Sequence, residues 1–287
     1  MLRNNFDEAD IAAFEPAEKV ALVATINDEG EPHVSLLTTL SALGKNELTI
    51  GEFSRGLSKG FMKRRPAVGF LMMSLDRRLW RGQARWKRSA KEGPEYVRYN
   101  KQPMFRYNSY FGINTVHYLD LVGVEGPEAL PMAGIVAASL ATALKAPFAR
   151  PALGNPVLPA FLIPILDALD SLNFLSFIDE EGFPRLVPVL QARSAGPSRI
   201  VFTPGPWGAE LGSIREGAKV ALFSMNLKME SFLARGLYSS RPDRGAAGTR
   251  RACRGLACID LDFLYDSAPP LHGQVWPPRP LEAVVEA

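Results

Sequence analysis

The stretch VATINDEGEPHV, residues 23–34, decides the fold because the chain repeats it as LSFIDEEGFPRL, residues 175–186. The offset of 152 positions holds without a gap from residues 23–75 to residues 175–227. Ten of these 53 positions are identical, where ordinary composition gives about three by chance. Several identities are glycines and prolines, which carry backbone geometry, so the two stretches are expected to turn alike. The sequence therefore predicts a duplicated domain.

Each copy has the same order of predicted elements. A β-rich run ends in an acidic turn with glycine, NDEG or DEEG, which is typical of a β-hairpin. A third strand follows, then one short helix, about residues 56–65 and 208–216, and then further strands. This order predicts a small antiparallel barrel that carries one crossing helix. The fold class is mainly β with helices (α+β).

Three regions are expected along the chain. They are a first barrel over residues 1–126, a helical connector over residues 127–170 and a second, degenerate barrel over residues 171–287. The connector is apolar and interrupted by prolines, so it should be packed. Its uncharged stretch, residues 129–144, is shorter than the roughly twenty residues of a membrane-spanning helix. A buried helix and no membrane contact are therefore predicted.

Composition excludes several classes of protein. The chain has 287 residues, 47% of them hydrophobic, and a net charge of only +3. That charge gives no global field for nucleic acid. Two cysteines and three histidines are too few for a disulfide framework or a dedicated zinc site. The N-terminus has no signal-peptide pattern, and a cytoplasmic setting with reduced thiols is expected.

The stretch GEFSRGLSKGFMKRRPAVGF, residues 51–70, concentrates hydroxyl and basic groups where a strand leads into the short helix. A helix N-terminus presents free backbone N–H groups and the positive end of the helix dipole, which suits a phosphate. Arginine adds bidentate donors and lysine a point charge. The alternative is a solvated helix face, which long charge runs usually form.

The ordered set ALVATINDEGEPHVSLL, ELTIGEFSRGLSKGFMKRRPAVGFL and LWRGQARW resembles the FMN-binding split-barrel family typified by pyridoxamine 5'-phosphate oxidase. The resemblance implies two tandem six-stranded split barrels and FMN as cofactor. It assigns the 5'-phosphate to residues of the loop and helix. The candidates carried over are Ser54, Arg55, Ser58, Lys59 and Lys63.

Two residues of the last strand in the set, Trp80 and Gln83, are further candidates, since this strand commonly borders the flavin in the family. His117 alternates with apolar residues and is interpreted as a structural strand residue. No residue is assigned a catalytic acid or base role, and no metal ligand is assigned. The Arg-His pattern that recognises pyridoxamine phosphate in the family is not visible near the C-terminus, so the substrate stays unidentified.

The second copy lacks the phosphate-binding pattern. Pro206, Glu210 and Leu211 stand where the first copy has Ser54, Ser58 and Lys59. A carboxylate at this place would repel a phosphate. The second barrel is therefore predicted to replace a partner subunit within the chain, as a pseudo-dimer. The other arrangement is a homodimer in which two first copies pair.

These patterns predict an FMN-dependent oxidoreductase that acts on a small-molecule redox substrate. The first alternative is a flavin- or haem-binding module without catalysis. The second is a binder of single-stranded nucleic acid, because residues 77–101 hold nine basic residues with interleaved aromatic ones. The chain has no recognition helix or consensus motif for nucleic acid, so such a partner is not expected.

Overall fold

The computed structural model describes residues 2–52, 56–101, 112–151, 154–240, 253–266 and 273–278. Within these ranges the first copy forms a seven-stranded antiparallel sheet with three helices. The strands are β1 Val20–Ile26, β2 Pro32–Leu36, β3 Ser41–Ala42, β4 Glu47–Glu52, β5 Ala67–Met73, β6 Arg78–Ala90 and β7 Thr115–Ala129. The helices are α1 Glu8–Phe14, α2 Leu57–Arg64 and α3 Pro94–Lys101. The strand order is β2-β1-β5-β6-β7-β4-β3.

The connector and the second copy contribute three more helices and an eight-stranded sheet. The helices are α4 Met132–Lys145, α5 Ile163–Asp167 and α6 Gly208–Gly212, with 3₁₀ turns at Ala146–Ala149 and Gly205–Trp207. The strands are β8 Leu172–Ile178, β9 Pro184–Pro188, β10 Arg193–Ser194, β11 Arg199–Phe202, β12 Lys219–Met225, β13 Ser231–Ser239, β14 Ala257–Asp266 and β15 Gly273–Trp276. Their order is β10-β11-β14-β13-β12-β8-β9, and β15 pairs with β14.

The two sheets have the same topology. Read from β9, the second sheet runs β9-β8-β12-β13-β14-β11-β10, which matches the first sheet strand by strand. Each copy has the six predicted strands and one additional strand of two residues, and the second copy adds β15. The predicted fold class, mainly β with helices in two tandem copies, is confirmed.

Shared glycines produce the shared turns. Gly30 and Gly182 end the first hairpin turn of each copy with φ of 84° and 80°. In both, the glycine N–H donates 3.1 Å to a carbonyl three residues earlier, that of Asn27 or Asp179. Only glycine adopts such positive φ values without strain, so the repeated glycines of the sequence mark a repeated backbone shape.

The residues divide into two compact units that do not follow the order of the copies. The first unit comprises Met1–Pro131 together with Ser176–Leu186, which is the turn of the β8–β9 hairpin with its flanking residues. The second comprises Met132–Leu175 and Val187–Ala287. Residues 132–175, most of the predicted connector, thus pack with the second sheet. The domain bounds at residues 126 and 170 stay a prediction.

The core of the first unit is aromatic and is closed by α1. Phe6, Phe14, Phe70 and Trp80 are all at most 1% exposed and form one cluster under the sheet. Phe14 meets the Trp80 ring edge-on, with the ring centroids 6.0 Å apart. Asp7 caps α1 through its side chain, so the helix begins where the sequence supplies an N-cap.

The prediction of a buried helix at residues 129–144 is wrong for most of its surface. The segment forms α4, but its buried residues are only Ile135, Ala138 and Thr142. These three lie on one face at helical spacing. Among the described residues, Met132–Ala149 is one helical stretch long and apolar enough to cross a membrane. The apolar, uncharged sequence predicted the helix correctly. It did not predict which sides of the helix are buried, because its apolar residues lie all around the helix axis.

Candidate functional site

The N-terminus of α2 is the predicted phosphate site. Gly56 is its N-cap, with φ −113° and ψ 155°, and no side chain among the described residues caps it. The first turn has no acidic residue. Because the first N–H groups of a helix have no partner within the helix, this end presents donors and a positive dipole to an anion.

Ser58 lies at the second helical position and is completely buried. Within the part of the chain that the structure describes, its Oγ makes no hydrogen bond. A buried hydroxyl without a partner costs about 1–3 kcal/mol. An oxygen-rich ligand at the helix terminus would remove that cost.

Lys59 follows Ser58 and is only 7% exposed. Burial lowers the pKa of its ammonium group, and the negative charge of Glu52 acts in the opposite direction. Lys63 lies one turn later and is exposed. The two lysines therefore differ: one is a buried cation held close to the helix start, and the other is a solvated cation beside it.

Glu52, the last residue of β4, anchors a chain of buried hydrogen bonds. Trp86 Nε1 lies 3.2 Å from His117 Nδ1, and His117 Nε2 lies 2.8 Å from Glu52 Oε2. An indole N–H can only donate, so His117 Nδ1 accepts. In the neutral ring the proton is then on Nε2, which donates to the Glu52 carboxylate. His117 is fully buried, so this tautomer is fixed by its surroundings.

The charge of Glu52 results from competing influences. Burial raises the pKa of its carboxyl group, but the hydrogen bond from His117 and the charges of Lys59 and Lys63 together bring that pKa below its ordinary value. Glu52 is therefore a carboxylate at neutral pH, set against two lysines. The site has a net positive charge that is weaker than its lysines alone would give.

The basic residues at the other end of α2 have a different role. Arg64 binds the Asp28 carboxylate through two hydrogen bonds of 2.7 and 2.9 Å, and Arg65 donates 3.1 Å to the Asp28 carbonyl oxygen. These side chains fasten the helix to the first hairpin turn. The alternative of a solvated helix face thus describes Arg64 and Arg65, whereas Ser58 and Lys59 near the start of the helix are buried.

The structure brings together three of the seven predicted site residues. Ser58, Lys59 and Lys63 share α2, with the first two on its buried face. Ser54 and Arg55 lie outside the described residues. Whether any of these residues touches a cofactor stays a prediction.

Trp80 belongs to the core rather than to an open surface. Its ring is 1% exposed, and its Nε1 donates 2.8 Å to the buried carboxylate of Asp10. Phe14 covers the ring edge-on. Since its ring is enclosed and its N–H is used, Trp80 is no longer a candidate for contact with a cofactor. Strand alternation puts Trp80 and Trp86 on the same face, and both pack against the same core cluster, so the pattern alone did not separate the enclosed ring from the half-buried one.

Gln83 meets the hairpin segment Ser176–Leu186. Its side chain is 2% exposed, and its Nε2 donates 2.7 Å to Asp179 Oδ2. Beside it, the Arg85 guanidinium lies 4.6 Å from the centroid of the Phe183 ring. Gly69, the β5 partner of Gln83, is packed against the Pro184 carbonyl oxygen, which would lie 2.0 Å from an added Cβ. Gln83 therefore holds the hairpin.

In the second copy, α4 covers the loop that corresponds to the start of the site. Thr203 N–H donates 2.9 Å to Thr142 Oγ1, and Thr203 Oγ1 donates 2.8 Å to the carbonyl oxygen of Ala138. Pro206 packs against Gly134 of the same helix, at 3.0 Å from the position of an added Cβ. The second copy has thus filled this place with its own connector.

The two copies keep the same bridge behind this loop. In the first, Thr39 Oγ1 donates 2.8 Å to the Gly51 carbonyl oxygen. In the second, Gln191 Nε2 donates 2.6 Å to the Thr203 carbonyl oxygen. Gln191 and Thr203 are the residues that the offset of 152 pairs with Thr39 and Gly51, so this connection between the strands occurs in both copies. Leu211, which stands where the first copy has Lys59, is fully buried. The second copy thus has an apolar side chain where the first has a cation.

Sequence reasoning missed Glu52 and treated His117 as structural. In the β4–β7 register Ile50 faces His117, so Glu52 is the diagonal neighbour of the histidine on the same face. A carboxylate at a strand end beside a glycine-rich loop was the available signal. Its pairing with a histidine 65 residues later was not readable from local spacing. Among the described residues, no group of three or more potential metal ligands occurs.

Comparison with known proteins identifies structural relatives only. No protein-family model matches the sequence, and no curated protein matches it significantly. An FMN-binding protein from Syntrophomonas wolfei shares 14% identity and a TM-score of 0.37, over 42% of this chain and 84% of that protein. A proposed pyridoxamine 5'-phosphate oxidase from Lactobacillus delbrueckii gives 17% and 0.34, over 43% and 96%.

An FAD-binding protein from Mesorhizobium loti gives 14% identity and a TM-score of 0.28, over 44% of this chain and 99% of that protein. The expected likeness to flavin-binding proteins is confirmed at the level of the structures that the chain matches. Each match covers less than half of the chain, close to the length of one copy. Identities and scores this low do not assign a ligand or an activity.

Proposed function

We propose that this protein binds FMN through the N-terminus of α2 and works in the cytoplasm as a flavin-dependent oxidoreductase on a small-molecule substrate. The observation that carries the proposal is the buried Ser58 hydroxyl, which has no partner among the described residues and lies at an uncapped helix start. The resemblance of the sequence to the FMN-binding family implies FMN as the ligand. The donors at this end of the helix support a phosphate group there.

The donors present suit a phosphate monoester. Ser58 Oγ, the first backbone N–H groups of α2 and the Lys59 ammonium would hold its oxygens, and Lys63 would add a longer-range charge. When bound, the flavin would supply hydride transfer chemistry. The residues of the chain bind and orient it, and none is assigned a proton-transfer step.

We propose that the second copy takes the role of a partner subunit. Support comes from the hairpin Ser176–Leu186, which packs within the first unit through Asp179 on Gln83 and Phe183 under Arg85. Arg185 adds an ion pair of 3.4 Å with Glu125. A homodimer that uses this face of the first sheet would need the same surface that the hairpin covers.

The nucleic-acid alternative has less support. It needs exposed aromatic rings for stacking, but Trp80 and Tyr99 are at most 2% exposed. Trp86 uses its N–H on His117. Basic residues of the same segment are paired, as Lys87 is with Glu47 and Asp120 at 3.3 and 2.8 Å. A flavin- or haem-binding module without turnover remains the second candidate.

The decisive experiment is FMN titration of the purified protein, followed by flavin fluorescence. Ser58→Ala combined with Lys59→Ala should weaken FMN binding about 100-fold, because a neutral and a charge-assisted hydrogen bond are lost together. Arg64→Ala is the matched control on the same helix, and Glu210→Ala is the control at the equivalent place in the second copy. Equal affinity of the double variant and the parent would contradict the assigned site.

Turnover separates an enzyme from a carrier. Under anaerobic conditions, reduced nicotinamide should bleach the flavin absorbance of the loaded protein if the flavin accepts hydride there. Stable colour with every reduced nicotinamide tested, together with tight FMN binding, would favour the carrier.

A further inference from the structure

The outward face of α4 is a continuous apolar surface. Val136, Leu140 and Leu144 follow one another at intervals of four and are 54%, 63% and 75% exposed. Met132 and Phe148 extend the row at its ends, at 40% and 45% exposed. Large exposed apolar patches on soluble proteins mark interaction surfaces. We call these five side chains the α4 stripe.

The opposite face of α4 is already fixed. Ile135, Ala138 and Thr142 are buried against the second sheet and its 3₁₀ turn. Thr142 accepts a hydrogen bond from the backbone of Thr203. Because this face is occupied, the stripe faces away from the second sheet, and none of the described residues of the chain covers it.

Size and charge argue for a second copy of the chain as the partner that covers the α4 stripe. Complete burial of these five side chains in both copies would remove about 1,000 Å² from solvent, which is the least that a specific interface usually buries. Residues 129–144 carry no charge, so two stripes can meet without repulsion. A twofold interface requires this self-complementarity.

The shape of the helix also suits self-association. The row Val136–Leu140–Leu144 is a ridge along positions i, i+4 and i+8, and Ala133, Ala137 and Ala141 form a shallow groove beside it. Packing of such ridges into grooves is the commonest arrangement of two helices. Because Leu140 lies at the centre of the ridge, a twofold axis would bring the two copies of Leu140 close together.

A lipid surface is the competing occupant, and it fits less well. An interfacial helix carries lysine or arginine along its polar face. The other face of α4 has no charge before Lys145, whose Nζ donates 2.9 Å to the Arg254 carbonyl oxygen. The helix thus lacks a row of cations to hold it at a bilayer.

We propose that the α4 stripe is a homodimer interface in which two α4 helices cross about a twofold axis near Leu140.

Sedimentation velocity of the full chain between about 1 and 100 μM tests the proposal, since interfaces at the low end of the size range belong to weak or transient complexes. The parent should shift from monomer to dimer. Leu140→Glu should raise the dissociation constant about 100-fold or more, because symmetry counts the substitution twice. Leu140→Lys should do the same, and an equimolar mixture of the two variants should recover a heterodimer.

Leu75→Glu is the matched control. Leu75 is exposed to a similar degree as Leu140, at 75% against 63%, but it lies in the turn after β5. It should dimerise like the parent. A parent that stays monomeric at 100 μM would overturn the proposal, as would dimers unaffected by Leu140→Glu. Flotation with phosphatidylserine–phosphatidylcholine vesicles is the second measurement. A monomeric parent that floats, with Leu140→Glu failing to float, would assign the stripe to a lipid surface.

Discussion

At the residue scale, the candidate site depends on a carboxylate that opposes the ligand it is meant to bind. Glu52 is held by His117 on one side and faces Lys59 and Lys63 on the other. This arrangement keeps a buried lysine charged before a ligand arrives, since an unpaired buried ammonium would lose its proton more readily. The cost is repulsion of an incoming anion. If an anion binds here as proposed, we expect its affinity to be set by this balance of charges rather than by the number of cations.

Glu52→Gln should strengthen FMN binding about tenfold, because removing one nearby negative charge lowers the repulsion by roughly 1–2 kcal/mol. The amide still accepts the hydrogen bond from His117, so the fold should be retained. FMN titration at low ionic strength measures the change. Glu47→Gln, at the other end of β4, is the control and should leave affinity unchanged. Equal gains in both variants would show that only net charge matters.

Lys19 makes the stability of the first unit depend on pH. Its Nζ donates 2.7 Å to the carbonyl oxygens of both Phe14 and Pro16. Burial, with a smaller contribution from the charge of Arg98, lowers its pKa from 10.5 to about 8. Between about pH 8 and pH 10.5 the unfolded chain binds more protons than the native one, so the free energy of unfolding rises with pH across that range.

Relative to Lys19→Met, the parent should therefore gain about 2 kcal/mol of unfolding free energy between pH 7.5 and 9.5. Urea denaturation of both proteins at the two pH values measures it, and the comparison cancels titrations that they share. A difference that stays constant with pH would show that Lys19 keeps its ordinary pKa.

At the element scale, the hairpin Ser176–Leu186 is the feature that departs most from the plan of two separate barrels. It belongs by sequence to the second copy and by packing to the first unit. Its place is made by Gly69, where the Pro184 carbonyl oxygen leaves no room for a Cβ. The second copy has Ala221 at the equivalent position. The absence of a side chain at residue 69 is therefore a condition for the close approach of the hairpin to β5.

Gly69→Ala should destabilise the protein by about 2 kcal/mol or more, because the contact at 2.0 Å involves backbone and cannot be relieved by a side-chain movement. Urea denaturation measures the loss. The matched control is Gly212→Ala in α6, where nothing lies within 4 Å of the added Cβ. That variant should change stability by no more than about 1 kcal/mol, in the stabilising direction. Similar effects of both substitutions would contradict the close approach at β5.

At the scale of the whole molecule, the repeat predicted the same order of elements in both copies because turns and strand faces are local. Gly30 and Gly182 mark equivalent turns in the sequence and have equivalent φ values. The position of α4 was not predictable in this way. Its partner Thr203 is 61 residues from Thr142, and the apolar pattern of the helix is nearly uniform around its axis. The role of His117 was not predictable for the same reason, since its partner Glu52 lies 65 residues earlier in the sequence, on the neighbouring strand β4 of the sheet.

The α4 helix seated over the loop at Thr203 also sets a stoichiometry. If FMN binds at α2 as proposed, we expect one ligand per chain at saturation, because α4 contacts the equivalent loop of the second copy. With one site on each chain, occupancy should follow a simple hyperbola. Any sigmoidal response must then arise from communication between separate chains.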